Sequence, residues 1–175
     1  MKKVLEAFAK SSSPNKAIDA EKVLDKMIES YNNGNRSAKP TLRTYSIVLN
    51  ACAYSNASNQ DKAATFKLAR RCFKEILNGK LGQHPDSLNF SLFMMTCQNL
   101  VPPGTKRDQL LASVFDECCK RGLVDVNVVV NIKSLSPSLK KQLLQGTNLE
   151  YGHFIQIEDI PYQWRVNVRE RRRKD

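Results

Sequence analysis

The chain lacks most of the patterns that announce chemistry. It has no Cys-x-x-Cys pair, and its two histidines, His84 and His153, lie far apart. Four ligands at finger-like spacing are absent, so no metal site is expected. No histidine sits beside a cysteine or serine in a triad-like context, and no glycine-rich loop is placed to cradle a phosphate. The adjacent acids Asp116–Glu117 and Glu158–Asp159 would point apart on a helix. Neither catalysis nor a cofactor is expected. No apolar run approaches the roughly 18 residues a membrane helix needs, so no membrane partner is expected. Glycine and proline number only 7 each in 175 residues, which excludes collagen-like and linker-like chains. Five cysteines without paired spacing exclude a disulfide framework. Cys52, Cys72, Cys97 and Cys118 fall on apolar helical positions, where buried free thiols in a reducing compartment are expected.

Acids are also in deficit. The chain has 17 Asp and Glu against 28 Lys and Arg, a formal charge of +11. Residues 165–175 supply a net +4 of this, so +7 is carried by the rest of the chain. An excess of this size points to a polyanion such as nucleic acid.

What the sequence does contain is self-similarity. Pro40-Thr41-Leu42-Arg43-Thr44-Tyr45-Ser46 is echoed by Pro85-Asp86-Ser87-Leu88-Asn89-Phe90-Ser91, and Cys52 by Cys97, all 45 residues apart. Helical periodicity dominates throughout. A helix is predicted over 15–31, with Ala17, Ala20, Val23, Leu24, Met27 and Tyr31 on its apolar face. Short apolar helices follow at 42–54 and 87–99, each paired with a longer one. The helix at 60–78 presents Ala69, Cys72, Phe73, Ile76 and Leu77. The helix at 106–121 presents Leu110, Leu111, Val114, Phe115 and Cys118. The longer helices share one buried register: Ala20, Leu24, Met27 match Ala69, Phe73, Ile76 and Leu111, Phe115, Cys118.

Residues 126–144 read as a pair of shorter helices, with Pro137 opening the second. Residues 146–164 read as an irregular segment packed on the last helices and anchored by Trp164, and 165–175 as a basic tail. The basic, Ser-rich N-terminus contains Glu6 and no Arg before residue 13, and reads as helix rather than transit peptide, the stump of an earlier unit. The expected fold is all-α: an α-solenoid of stacked antiparallel helix pairs with an irregular C-terminal extension. Its divisions are a partial repeat over 1–41, repeats over 42–86 and 87–125, and a C-terminal region over 126–175.

Thr44-Tyr45-Ser46, Asn89-Phe90-Ser91, Gly82-Gln83-His84-Pro85-Asp86 and the shortened Gly122-Leu123-Val124-Asp125 together resemble the signatures of the pentatricopeptide repeat family. The units are long for that family, Thr41 stands where it has Asp, and Asp125 lacks the preceding Pro. The ending Pro161 to Arg169, Pro-x-x-Trp-x-x-Asn-Val-Arg, is similar to that of a long-unit variant. The resemblance implies binding of single-stranded RNA, one base per repeat, in organellar RNA processing, stability or translation, in a mitochondrion or plastid. It implies base choice by the fifth and last residues of a unit: Ser46 with Asp86, and Ser91 with Asp125, a pairing that goes with guanine. The second position, Arg43 or Leu88, would sandwich neighbouring bases, and Arg43 is suited to stacking. The plain structural reading gives the serines to their own helix backbone and Asp86 to a helix cap. Two or three units are few for tight recognition, which suits a C-terminal part of a longer array. The alternative is a tetratricopeptide-like scaffold binding a protein or peptide partner. Against it, the only tryptophan lies outside the units.

Overall fold

The computed structural model describes residues 6–8, 11, 13, 15–55, 58, 61–79, 82–132, 135–145, 147, 149 and 156–168. Among them every regular element is helical, as expected for the all-α class. The main helices are α1 (Lys16–Asn32), α2 (Leu42–Ala53), α3 (Lys62–Leu77), α4 (Ser87–Leu100) and α5 (Thr105–Lys120). Shorter ones follow: α6 (Val126–Asn131), α7 (Pro137–Leu143) and α8 (Tyr162–Arg165), with 3-10 turns at Arg36–Ala38 and Ile157–Asp159. The expected N-terminal helix start at 1–5, the apolar pair Phe154-Ile155 and the basic tail from Arg169 lie outside the described residues.

The chain divides into two units: Met1–Pro85 with Met95–Pro102, and Asp86–Met94 with Pro103–Asp175. The division falls within α4. In the first unit α2 packs against both α1 and α3. The buried face of each follows its sequence period: Ala20, Leu24 and Met27 in α1, Val48, Leu49 and Cys52 in α2, Ala69, Cys72, Phe73 and Ile76 in α3. Each large apolar side chain so buried contributes on the order of 1.5–3 kcal/mol. Asn99 donates its side-chain amide to the Ala53 carbonyl at 2.8 Å. It thereby satisfies an orphan acceptor at the end of α2. Arg71 of α3 reaches back to α1, its guanidinium 3.2 Å from Glu21 Oε1 and 3.0 Å from Asp25 Oδ1.

Two details of the sequence expectation change. Tyr31 is exposed, and Val23, Leu77 and Leu110 are only half-buried. The period places Tyr31 on the apolar stripe, but it falls in the last turn of α1, past the buried Met27. Periodicity alone does not reveal where the covering neighbour stops.

α1 ends at Gly34, with Asn35 N donating to Ser30 O and Gly34 N to Tyr31 O, both at 3.0 Å. α5 ends the same way at Gly122: Leu123 N donates to Cys118 O at 3.1 Å and Gly122 N to Cys119 O at 2.9 Å. These are Schellman closures, which require a left-handed residue, and φ is +94° at Gly34 and +63° at Gly122.

In the second unit, α5 packs with α7 and α8. The Phe115 ring meets Trp164 edge-on at 5.6 Å between centroids. Val124 N donates to Trp164 O at 2.7 Å and Asn167 N to Gly122 O at 2.8 Å. Asn167 Nδ2 adds a bond to Arg121 O at 2.9 Å. The segment carrying Trp164 is thus laced to the end of α5 by backbone bonds as well as by its ring.

Gly122 tests this lacing. A Cβ there would lie 2.6 Å from Val166 Cγ1, whereas one at Gly34 would meet nothing within 4 Å among the described residues. Gly34→Ala is expected to cost about 1–2 kcal/mol, from left-handed strain alone. Gly122→Ala is expected to cost more and to shift the emission of Trp164, the only tryptophan. Urea unfolding followed by tryptophan fluorescence checks both.

Candidate nucleic-acid interface

The short helices α2, α4 and α6 open in the same way. Thr41 caps α2: its Oγ1 accepts from Thr44 N at 3.4 Å, and its own N donates to Thr44 Oγ1 at 3.1 Å. Asp86 caps α4: its Oδ1 accepts from Asn89 N at 3.0 Å, and its N donates to Asn89 Oδ1 at 3.1 Å. Both are reciprocal capping boxes. Asp125 caps α6, its Oδ1 accepting from Val128 N at 2.9 Å; Val128 has no side-chain acceptor to return the bond.

Thr and Asp are both strong N-cap residues, which accounts for Thr41 standing at the start of α2 where Asp86 and Asp125 stand at the starts of α4 and α6. The sequence places Asp125 with Asp86 at a unit end and a helix from 126; the structure extends the echo to Val129, an apolar residue at the offset of Tyr45 and Phe90.

A cap fixes where the helix starts and therefore which side chains turn inward. Four residues on, Tyr45, Phe90 and Val129 are all buried. Two residues on, Arg43, Leu88 and Asn127 are all exposed. The Tyr45 hydroxyl is pushed above its ordinary pKa, first by burial and then by the nearby Glu75 carboxylate. This position is an anchor for packing.

The sequence-predicted site residues have these surroundings. Arg43 is exposed, and its guanidinium pairs with Glu6, Nε lying 3.1 Å from Oε1. Ser46 is half-buried and its Oγ donates to Leu42 O at 2.9 Å. Asp86 is exposed and Asp125 half-buried, and both serve as caps. Ser91 is 7% exposed, and its hydroxyl accepts from Asn131 Nδ2 at 3.0 Å. Asn131 also donates to Asn127 O at 2.8 Å, so it ties α4 to α6 inside the second unit. Ser46 belongs to the first unit and Asp86 to the second. At the position equivalent to Ser46 and Ser91, α6 carries Val130, which is 48% exposed.

Cys52, Cys72, Cys97 and Cys118 are buried and Cys119 is half-buried; none is in a disulfide. Burial is the main cause that pushes every one of these thiols up, Cys72, Cys97 and Cys119 to about 12. A thiol held protonated is neither a nucleophile nor a metal ligand at neutral pH. Among the described residues no three His, Cys, Asp or Glu side chains gather where they could hold a metal ion. No helix among them is long and apolar enough to cross a membrane.

Comparison with protein-family models, with curated proteins and with solved structures gives no match for this chain.

The thiols carry a pH prediction. Their folded pKa lies above the ordinary 9.0, so the folded state holds the protons more tightly. Their contribution is complete below about pH 9 and is lost as pH rises toward about 12. Melting temperature is expected to fall across that window, and a Cys72→Ala variant to show a shallower fall. At pH 8 the native protein is expected to react slowly with a thiol reagent, and the urea-unfolded protein rapidly.

Proposed function

We propose that this chain binds single-stranded RNA through stacked helix pairs of the pentatricopeptide kind. The pairs are α2 with α3 and α4 with α5, and α6 with α7 is a shortened last pair. The observation that supports this reading is the threefold opening of the first helices. One cap sets one register, and that register leaves the second-position side chains Arg43, Leu88 and Asn127 in solvent. A repeated surface position is what a one-base-per-repeat reader requires. The formal charge of +11 supplies the attraction to phosphate.

The side chains suit the task. Leu88 is apolar yet 39% exposed, and the Arg43 side chain is 78% exposed. An apolar side chain and a guanidinium plane both offer faces for a stacked base. The Arg43–Glu6 pair is exposed and is worth at most about 1 kcal/mol, so an incoming nucleotide displaces it at small cost. Asp86, exposed with one oxygen engaged by its cap, and Asn127 offer an acceptor and a donor–acceptor to base edges. Ser91 contributes through α6 rather than through a base, because its hydroxyl is turned to Asn131.

Titration of labelled short RNA homopolymers and of the matching duplex tests the reading. Leu88→Ala and Arg43→Ala are each expected to weaken single-strand binding by about 1–3 kcal/mol, with duplex bound less well throughout. Ser91→Ala is expected to lower stability by about 1 kcal/mol and to leave base preference unchanged. If neither Leu88→Ala nor Arg43→Ala alters binding, the first-helix assignment is wrong. Protein partners retained after nuclease treatment, with no RNA bound at low salt, would identify a peptide-binding scaffold instead.

A further inference from the structure

The long helices α1, α3 and α5 share a buried register, so their outward positions can be compared one for one. The triplets Ala20, Leu24, Met27, then Ala69, Phe73, Ile76, then Leu111, Phe115, Cys118 are all buried. In that register α3 carries Lys67, Arg70, Arg71 and Lys74, all exposed. The matching positions of α1 are Ile18, Glu21, Lys22 and Asp25. Those of α5 are Gln109, Ala112, Ser113 and Asp116. At the places of Lys67, Arg70 and Lys74 both sister helices carry neutral or acidic residues. The cations of α3 are therefore not a requirement of the fold.

Their spacing puts them on one stripe. Steps of three and four residues return to the same helix face, and the seven steps from Lys67 to Lys74 rise about 10 Å. Arg71 is neutralised by Glu21 and Asp25. Lys67, Arg70 and Lys74 form no ion pair with any described residue. The one acid on the helix past its cap is Glu75, which is half-buried and close enough to Tyr45 to raise its pKa. Three uncompensated cations thus stand in a row over two turns.

We propose that Lys67, Arg70 and Lys74 form a phosphate-backbone site for a single-stranded nucleic acid, on the second helix of the unit. This extends the RNA-binding reading and rests on it: the stripe lies on the side of α3 turned away from the buried face that holds Leu68, Cys72, Phe73 and Ile76, so it is a second contact for the strand, apart from the first-helix positions. The chemistry separates this partner from two others. A protein partner needs a buried apolar or aromatic anchor, and the exposed large apolar residues, Tyr31, Tyr54, Leu88, Val130, Tyr162 and Val166, include none on α3. A membrane surface needs apolar side chains beside the cations, but those of α3, Leu68, Cys72, Phe73 and Ile76, are buried in the first unit. Small exposed Ala63 and Ala64 leave the approach to the stripe open.

The test compares two triple variants of the full chain with the wild type. One is Lys67→Gln/Arg70→Gln/Lys74→Gln. The other removes the same charge elsewhere: Lys26→Gln/Lys39→Gln/Lys106→Gln. Glutamine has nearly the helix propensity of lysine, and circular dichroism checks that both fold. Binding of labelled oligo-U, oligo-A and oligo-C is measured by anisotropy at about 50 and 200 mM salt. The stripe variant is expected to lose about tenfold in affinity for all three polymers at low salt. Its salt slope is expected to flatten by about 2, at roughly 0.7 per released counterion. The control variant is expected to lose much less. Equal losses in the two variants would overturn the α3 site while leaving RNA binding in place. No binding by the wild type at low salt would overturn both. Displacement of the RNA by polyglutamate as readily as by unlabelled RNA would show a general acidic-ligand surface, and would also overturn the assignment.

Discussion

The cap at the start of each short helix is the constraint from which the rest of the repeat follows. A side chain at Thr41, Asp86 or Asp125 captures an amide of the first turn, and this fixes the residue at which helical geometry begins. From that point each position has a determined direction. The residue four later enters the core, as a ring at Tyr45 and Phe90 and as an aliphatic group at Val129. The residue two later faces water. Without the cap, α2 or α4 would be free to begin a residue earlier or later, and a shift of one residue turns the buried face by about 100°. The echo within the sequence is therefore chiefly a record of capping and burial, and the exposed position is the one that neither of these dictates.

Polar groups with a structural duty are poor candidates for recognition, and the described residues sort them clearly. Ser91 is buried and committed to Asn131, whereas Asp86 and Asp125 each engage one oxygen in a cap and Asp86 is the more exposed. The exposed side chains Leu88, Asn127 and Arg43 carry at most weak internal duties: Asn127 Nδ2 lies 3.5 Å from Asp125 Oδ2, and the Arg43–Glu6 pair is held in water. The same logic separates the cations of α3. Arg71 holds α3 to α1 through two carboxylates, whereas Lys67, Arg70 and Lys74 hold nothing. The two sister helices lack cations at these three places, which is why the stripe, and not Arg71, carries the proposed phosphate site.

The C-terminal segment closes the second unit through both kinds of force found elsewhere in the chain. Trp164 brings an aromatic edge to Phe115, and its carbonyl takes the Val124 amide. Asn167 covers the carbonyls left at the end of α5. Gly122 stands at the centre of this arrangement, since its left-handed turn lets the chain leave α5 and its missing Cβ leaves room for Val166.

The sequence alone determined the helices and their inward faces. Apolar spacing of three and four residues placed α1, α3 and α5 within two residues of their ends, and glycines at 34 and 122 marked their stops. Pro137 marked the start of α7. The four cysteines on apolar positions were legible as buried for the same reason, because helical periodicity is local and needs no knowledge of neighbours. It also overreached for that reason: Tyr31 continues the period past the point where anything covers it. Only the tertiary structure decided what each polar group does. Ser91 meets Asn131 forty residues on, Arg71 meets acids about fifty residues back, and Asn99 reaches the end of α2. Such pairings depend on how separate helices are rotated and placed against one another, a property of the packed core that no single segment of sequence encodes.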